Sequence, residues 1–386
     1  MEFDLGWILL GLPMAFALGW LASRLDLRQL RLENRQAPKA YFRGLNYLLN
    51  EQQDQAIDAF IEAVQKDPDT SELHFALGNL FRRRGEYERA VRVHEHLLSR
   101  ADLSRGDHER AQHALALDFL KAGLLDRAED ALHKLEGTRY QDQAWLTLLS
   151  LHERSRSWAQ AADMATRLQQ AGQGDFSVRL AHYQCEQAEH ALHKNDDPAT
   201  ARQLLEQAIA STPHAARPHI QLAGMLAGAG NASGAFDQLV QLQIHAPQAV
   251  PLIASEWVRL ARLCARLPQA REQLEHSYAQ TPSIDVADAL VQAQVAAGVP
   301  MQQAREGYVR HMAQEPSLIA ASRWLSHEAF AHDGVHATVQ RSVEHAMRPL
   351  ARYRCAACGF EAQGYFWQCP GCQAWESFPP RRIEEL

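Results

Sequence analysis

The sequence predicts an all-α fold: a superhelical solenoid of tetratricopeptide (TPR) hairpins, with an N-terminal transmembrane helix and a small four-cysteine β-hairpin module at the C-terminus. Three observations carry this reading. An uncharged stretch opens the chain, small and large apolar residues recur at a near-constant period through its middle, and four of its six cysteines crowd into residues 355–372. The composition agrees. Of 386 residues 46% are hydrophobic and 22% charged, and helix formers dominate without long β-branched runs.

Residues 5–23, LGWILLGLPMAFALGWLAS, carry no charge. As a helix rising 1.5 Å per residue they would cover about 28 Å, close to the hydrocarbon core of a bilayer. Trp7 and Trp20 fall near the two ends, where interfacial aromatics belong, and Pro13 is tolerable in a membrane helix. Glu2 and Asp4 stand where a cleaved signal peptide would be basic, so residues 1–23 read as an uncleaved anchor. Arg24, Arg28, Arg31 and Arg35 follow on one helical face over 24–36. They place the N-terminus outside and the bulk of the chain in the cytoplasm, as a single-pass protein, and either meet anionic lipids of the membrane or serve as an ordinary topology signal. A reducing compartment suits thiols that bind metal.

From residue 37 to 348 the chain reads as eight or nine TPR units. In the first, Gly44, Tyr47, Ala56, Phe60, Ala63 and Pro68 fall at positions 8, 11, 20, 24, 27 and 32 of a 34-residue pattern. The second has Gly78, Phe81, Ala90, His94 and Leu97 at the equivalent places. Looser units follow around Phe119 and Ala128, Leu148 and Ala161, Ala201 and Leu205, Ala223 and Ala235, Ala270 and Leu274, and Ala304 and Tyr308, with a last helical pair over 317–348. Small residues at 8 and 20 let paired helices approach, large ones at 11 and 24 fill the space between units, and proline at 32 ends the second helix. Such arrays bind peptides and protein surfaces. Asn79, Arg82 and Arg83 are candidate groove residues for an acidic partner, weighed evenly against a solvated turn.

No catalytic motif emerges. "GAGNASG" (residues 228–234) lacks phosphate-loop spacing and falls at a helix–helix turn, and "HEAFAH" (327–332) sets its histidines five apart rather than the four of a zinc protease. The chain therefore reads as a non-enzyme. Its net charge of −7 and the single basic residue in 353–378, Arg354, argue against nucleic acid as a partner. A homodimer is compatible with the sequence but is not read from it. Cys185 and Cys264 stand alone and read as inert buried thiols.

The tail, 349–386, is the most specific signal. Cys355 and Cys358 form one C-x-x-C pair, Cys369 and Cys372 another, with ten residues between. Gly359 and Pro370–Gly371 supply the turns, so the two knuckles can converge on one tetrahedral ion, Zn or Fe. Four thiolates leave no open position for substrate, which makes the metal structural. Tyr353, Phe360, Tyr365, Phe366, Trp367, Trp375 and Phe378 are too many aromatics for so small a module to bury, and several are expected to pack on the helical array.

An anchor, a TPR array and "YRCAACGF…WQCPGCQAW" in that order resemble the lipopolysaccharide assembly protein B family (LapB, also called YciM) over essentially the whole chain. The resemblance implies a rubredoxin-type module with Cys355, Cys358, Cys369 and Cys372 as ligands, although a ten-residue spacer is short for true rubredoxin and argues against electron transfer. It further implies an inner-membrane adaptor that restrains lipopolysaccharide (lipid A) synthesis by promoting degradation of the deacetylase LpxC by the membrane protease FtsH, under a membrane-anchored antagonist. The alternative is a scaffold gathering lipopolysaccharide synthesis and transport proteins without a role in proteolysis.

Overall fold

A computed structural model of the chain describes residues 40–194, 196–327, 333–347 and 352–386, together with Phe16 and Trp20. The anchor expected over 1–23 otherwise lies outside the described residues, as does the basic segment over 24–36. Among the described residues no helix is long and apolar enough to cross a membrane.

The chain divides into two compact units, 1–155 and 156–386. In the first, α1 (40–49) pairs with α2 (Gln53–Lys66), α3 (Ser71–Arg84) with α4 (Tyr87–Ser99), and α5 (Arg105–Ala122) with α6 (Leu125–His133), followed by α7 (Gln141–Ser155). The second begins with α8 (Trp158–Gln170). It continues through α9 (Ser177–Lys194) and α10 (Pro198–Ser211), α11 (Ala216–Gly228) and α12 (Ala232–His245), then α13 (Val250–Leu263) and α14 (Leu267–Gln280). After α15 (Ile284–Ala296) come the two short segments α16 (Met301–Ala304) and α17 (Glu306–Gln314), then α18 (Leu318–Leu325) and α19 (Asp333–Met347). Both units are therefore runs of TPR-type hairpins.

Local chemistry sets the helix ends. Gly85 and Gly123 take the left-handed conformation that closes α3 and α5. Asn231 accepts from Gly234 N at 2.9 Å and caps α12, while Gly230 turns with φ +81°, so the glycine-rich 228–234 stretch is the hairpin turn its sequence implied.

The small-residue positions work more specifically than the repeat pattern conveys. A Cβ on Gly44 would lie 2.8 Å from the Phe60 ring, and one on Gly78 would lie 2.5 Å from the His94 imidazole. Position 24 thus packs on position 8 of its own hairpin, as well as toward the next one. Where position 24 is Phe60 the contact is apolar. His94 is polar and fully buried, and its environment is correspondingly different. Its Nδ1 donates to Asp118 Oδ2 at 2.5 Å, and Asp118, also fully buried, accepts from Arg82 Nη1 at 2.8 Å. Arg82 also donates to the Ala114 carbonyl at 3.0 Å and to Asn79 Oδ1 at 2.5 Å. This network crosses α3, α4 and α5 and supplies the hydrogen bonds that a buried carboxylate requires.

In the second unit the largest core gathers Phe236, Leu239, Trp257, Leu260 and Leu274 from successive helices. Cys185 is wholly buried in α9, and burial pushes its thiol up to about 12, which disfavours the reactive thiolate; Cys264, expected to be buried, is only half-buried.

Candidate metal centre

The tail is built from two turns of the same design. Strands β1 (Tyr353–Arg354) and β2 (Glu361–Ala362) pair antiparallel, Tyr353 with Ala362 and Arg354 with Glu361, and hold Cys355 and Cys358 at their tip. A single antiparallel bridge between Gln368 and Trp375 holds Cys369 and Cys372 likewise. The four-cysteine β-hairpin module is thus a two-stranded hairpin carrying one knuckle and a separate bridged turn carrying the other.

The backbone repeats almost atom for atom. Cys355 N donates to the Phe360 carbonyl at 2.8 Å, and Gly359 N donates to the Cys355 carbonyl at 2.9 Å. Cys369 N donates to the Ala374 carbonyl at 2.9 Å, and Gln373 N to the Cys369 carbonyl at 2.8 Å. Both turns need a left-handed residue directly after the second cysteine. Gly359 meets the need at φ +77° without strain, whereas Gln373 takes φ +61° with a side chain. Composition alone marks the first position and gives no sign of the second.

These turns bring the four Sγ atoms within 4.8 Å of one another. Cys355 Sγ lies 3.8 Å from Cys372 Sγ, and Cys358 Sγ lies 3.7 Å from Cys369 Sγ. Ligands about 2.3 Å from a tetrahedral zinc ion stand about 3.8 Å apart, so the cluster fits such an ion. Burial opposes ionisation of Cys355, but the Ser377 hydroxyl, 3.2 Å away, and the N–H groups of Cys358 and Ala357 outweigh it and hold the thiol down at about 6. At Cys358 the Phe360 N–H favours the thiolate, yet burial and the three neighbouring sulfurs win and push it up to about 12. Four thiolates this close repel one another without a cation between them. Cys355 and Cys369 are buried, while Cys358 and Cys372 are exposed to solvent.

The module lies against the helices of the second unit through its aromatic residues. His182 of α9, fully buried, stacks on Trp375 with ring centroids 4.7 Å apart, and its Nε2 lies 3.2 Å from Glu376 Oε1. Trp375 also meets Trp158 and Tyr183 edge-on. Trp367 packs on the core around Trp257, and Leu252 of α13 joins the cluster of Tyr353, Cys355, Cys369 and Phe378. Phe360 and Phe366 stay exposed at 40% and 39%, so the aromatic surplus is only partly covered. Tyr353 and Phe378 are buried in the module itself.

Of the three candidate groove residues, Arg82 and Asn79 are tied into the Asp118 network already described, whereas Arg83 is exposed. The arginine run thus contains one internal clamp. Arg84 adds ion pairs to Asp54 and Glu86. Sequence reasoning missed the clamp because Asp118 lies 36 positions away, although a histidine at position 24 was a signal that something polar faced it.

Helical hairpins ending in a convergent four-thiol centre define a tetratricopeptide protein with a rubredoxin-type metal module. Residues 43–93 match the tetratricopeptide repeat model, and residues 353–380 match a model described as a rubredoxin metal binding domain. Lipopolysaccharide assembly protein B of Escherichia coli K12 is 31% identical over 96% of this chain and 97% of its own. The Haemophilus influenzae protein of that name is 24% identical over 97% of this chain and 98% of its own. The chain belongs to the lipopolysaccharide assembly protein B family. Among solved structures it is similar to yeast Tom70, at 12% identity and a TM-score of 0.37, over 82% of this chain and 77% of that one.

Proposed function

We propose that this protein is an inner-membrane-anchored adaptor, with the bulk of the chain cytoplasmic, that restrains lipopolysaccharide synthesis by bringing the deacetylase LpxC to the protease FtsH. The observation that carries the reading is similarity to lipopolysaccharide assembly protein B over 96% of the chain, hairpins and metal module together. TPR hairpins suit a binding role, and confinement to one membrane raises the effective concentration of adaptor and protease for each other. In this reading Cys355, Cys358, Cys369 and Cys372 hold one structural Zn or Fe ion, and Arg83 is the exposed member of the candidate partner surface. The test is to deplete the protein and follow LpxC by immunoblot. LpxC should accumulate and fall again when the full chain is restored; an unchanged LpxC level overturns the adaptor role. Crosslinking from membranes that recovers transport proteins but never the protease would favour the scaffold reading instead.

A further inference from the structure

The last residues of the chain fold back onto the starts of two helices. Glu385 Oε1 accepts from Ile284 N at 2.5 Å, at the first residue of α15, and its other oxygen accepts from Arg382 N at 3.0 Å. Glu384 does the same at α18, where Oε2 accepts from Leu318 N at 3.2 Å and Oε1 accepts from the Ser317 hydroxyl at 2.6 Å. The first N–H groups of a helix have no partner within it and carry partial positive charge, so a carboxylate placed there is favoured. A helix is ordinarily capped by the residue just before it, and Ser283 and Ser317 already do this for α15 and α18. The two glutamates add a second layer of capping from 101 and 66 positions away.

Arginines fix the register of this strap. Asp285, only 12% exposed at its side chain, accepts from Arg382 Nη2 at 2.8 Å and Nε at 3.2 Å, and from Arg352 Nη2 at 2.9 Å. Arg381 Nη2 donates to the Pro282 carbonyl at 3.1 Å. Ile383 N donates to the Arg352 carbonyl at 3.0 Å, which ties the strap to the strand entering the metal module. Leu386 is 66% exposed and Ile383 is only half-buried, so no fully buried apolar side chain anchors the strap.

We propose that residues 381–386 are a detachable peptide ligand for a receptor formed by the starts of α15 and α18 and the carboxylate of Asp285, and that the tail of a second copy of this chain can take the same place. The receptor selects an arginine followed, two and three residues on, by a pair of carboxylates. It does not depend on the adaptor role or on any partner of the metal module.

The test uses the full chain and a fluorescent peptide of residues 379–386, PPRRIEEL. In Glu384→Gln/Glu385→Gln the strap loses both charged caps and the receptor becomes available. Fluorescence anisotropy should then show the peptide binding the variant about tenfold or more tightly than the unaltered chain, and a peptide with the same two glutamines should fail to compete. Equal binding to both chains, or binding to neither, overturns the proposal. A second variant and a different readout guard against misfolding of the first. Hydrogen exchange over 284–288 and 318–322 should speed up together when Asp285→Asn frees the strap; independent behaviour of the two segments overturns a shared ligand.

Discussion

The imidazole of His182 lies nearly parallel to the indole of Trp375, 21° apart in plane, and together they form the centre of the contact between α9 and the metal module. Trp375 follows the second knuckle by three residues, so what fixes the knuckle also fixes the docked ring. Trp375→Ala should weaken docking by about 2–3 kcal/mol, since a large half-buried ring is lost. The module should keep its metal while limited proteolysis releases it faster. Metal loss from this variant equal to that of a cysteine variant would show that the ring is needed to build the centre rather than to dock it.

Acid should loosen the same contact. Burial holds His182 below its ordinary 6.5; Glu376 and Glu186 oppose that shift, and Arg217 adds to it. His74, His113, His219 and His311 are likewise lowered, first by burial. For each, the unfolded chain binds a proton more readily than the folded one. Their contribution is therefore complete above about pH 6.5, the unfolded value, and declines as pH falls toward the lowered folded values. Thermal melts from pH 7.5 to 5 should show the midpoint falling below pH 6.5, and His182→Gln should flatten part of that slope.

Metal content offers a direct check on the tail. The unaltered chain should bind one ion, counted by elemental analysis, with the visible absorbance of ferric thiolate if the ion is iron and none if it is zinc. Cys355→Ser and Cys369→Ser should each abolish stoichiometric binding, because no fifth thiol lies in the cluster among the described residues. Amide protection should then be lost over 353–378 and kept across α1–α6. Retention of a full equivalent in both variants would overturn the four-thiolate assignment.

Asp118→Ala strands the Arg82 guanidinium beside a buried void and leaves His94 without its acceptor. The cost should be about 3–5 kcal/mol, measured by urea unfolding. Gly78→Ala should cost about 1–3 kcal/mol, because its Cβ meets an imidazole that Asp118 holds in place. In the Asp118→Ala background His94 is freer to move, so the second substitution should be milder there. Strict additivity would show that the network does not restrain the ring.

Much of this molecule is legible in its sequence, for identifiable reasons. The hairpins announce themselves because small and large residues must alternate at a fixed period for helices to approach, as at Gly44 and Phe60. The four cysteines are legible because C-x-x-C fixes its own turn. Three features are not. Gln373 occupies a left-handed position that its residue type does not advertise. Arg82 reads as a groove residue because its acceptor lies in the next hairpin. Glu384 and Glu385 look like an ordinary charged tail, since their partners at Leu318 and Ile284 are distant in sequence and backbone in kind.

Gly78, His94, Asp118 and Arg82 stand on three helices, and the last three are tolerable there only in one another's company and beside a glycine. A side chain at 78 excludes the imidazole, loss of the imidazole deprives the acid of a donor, and loss of the acid leaves the arginine uncompensated. The four positions therefore form one heritable unit: related chains should carry them together or exchange them together, as the apolar Gly44–Phe60 pair exchanges them for oil.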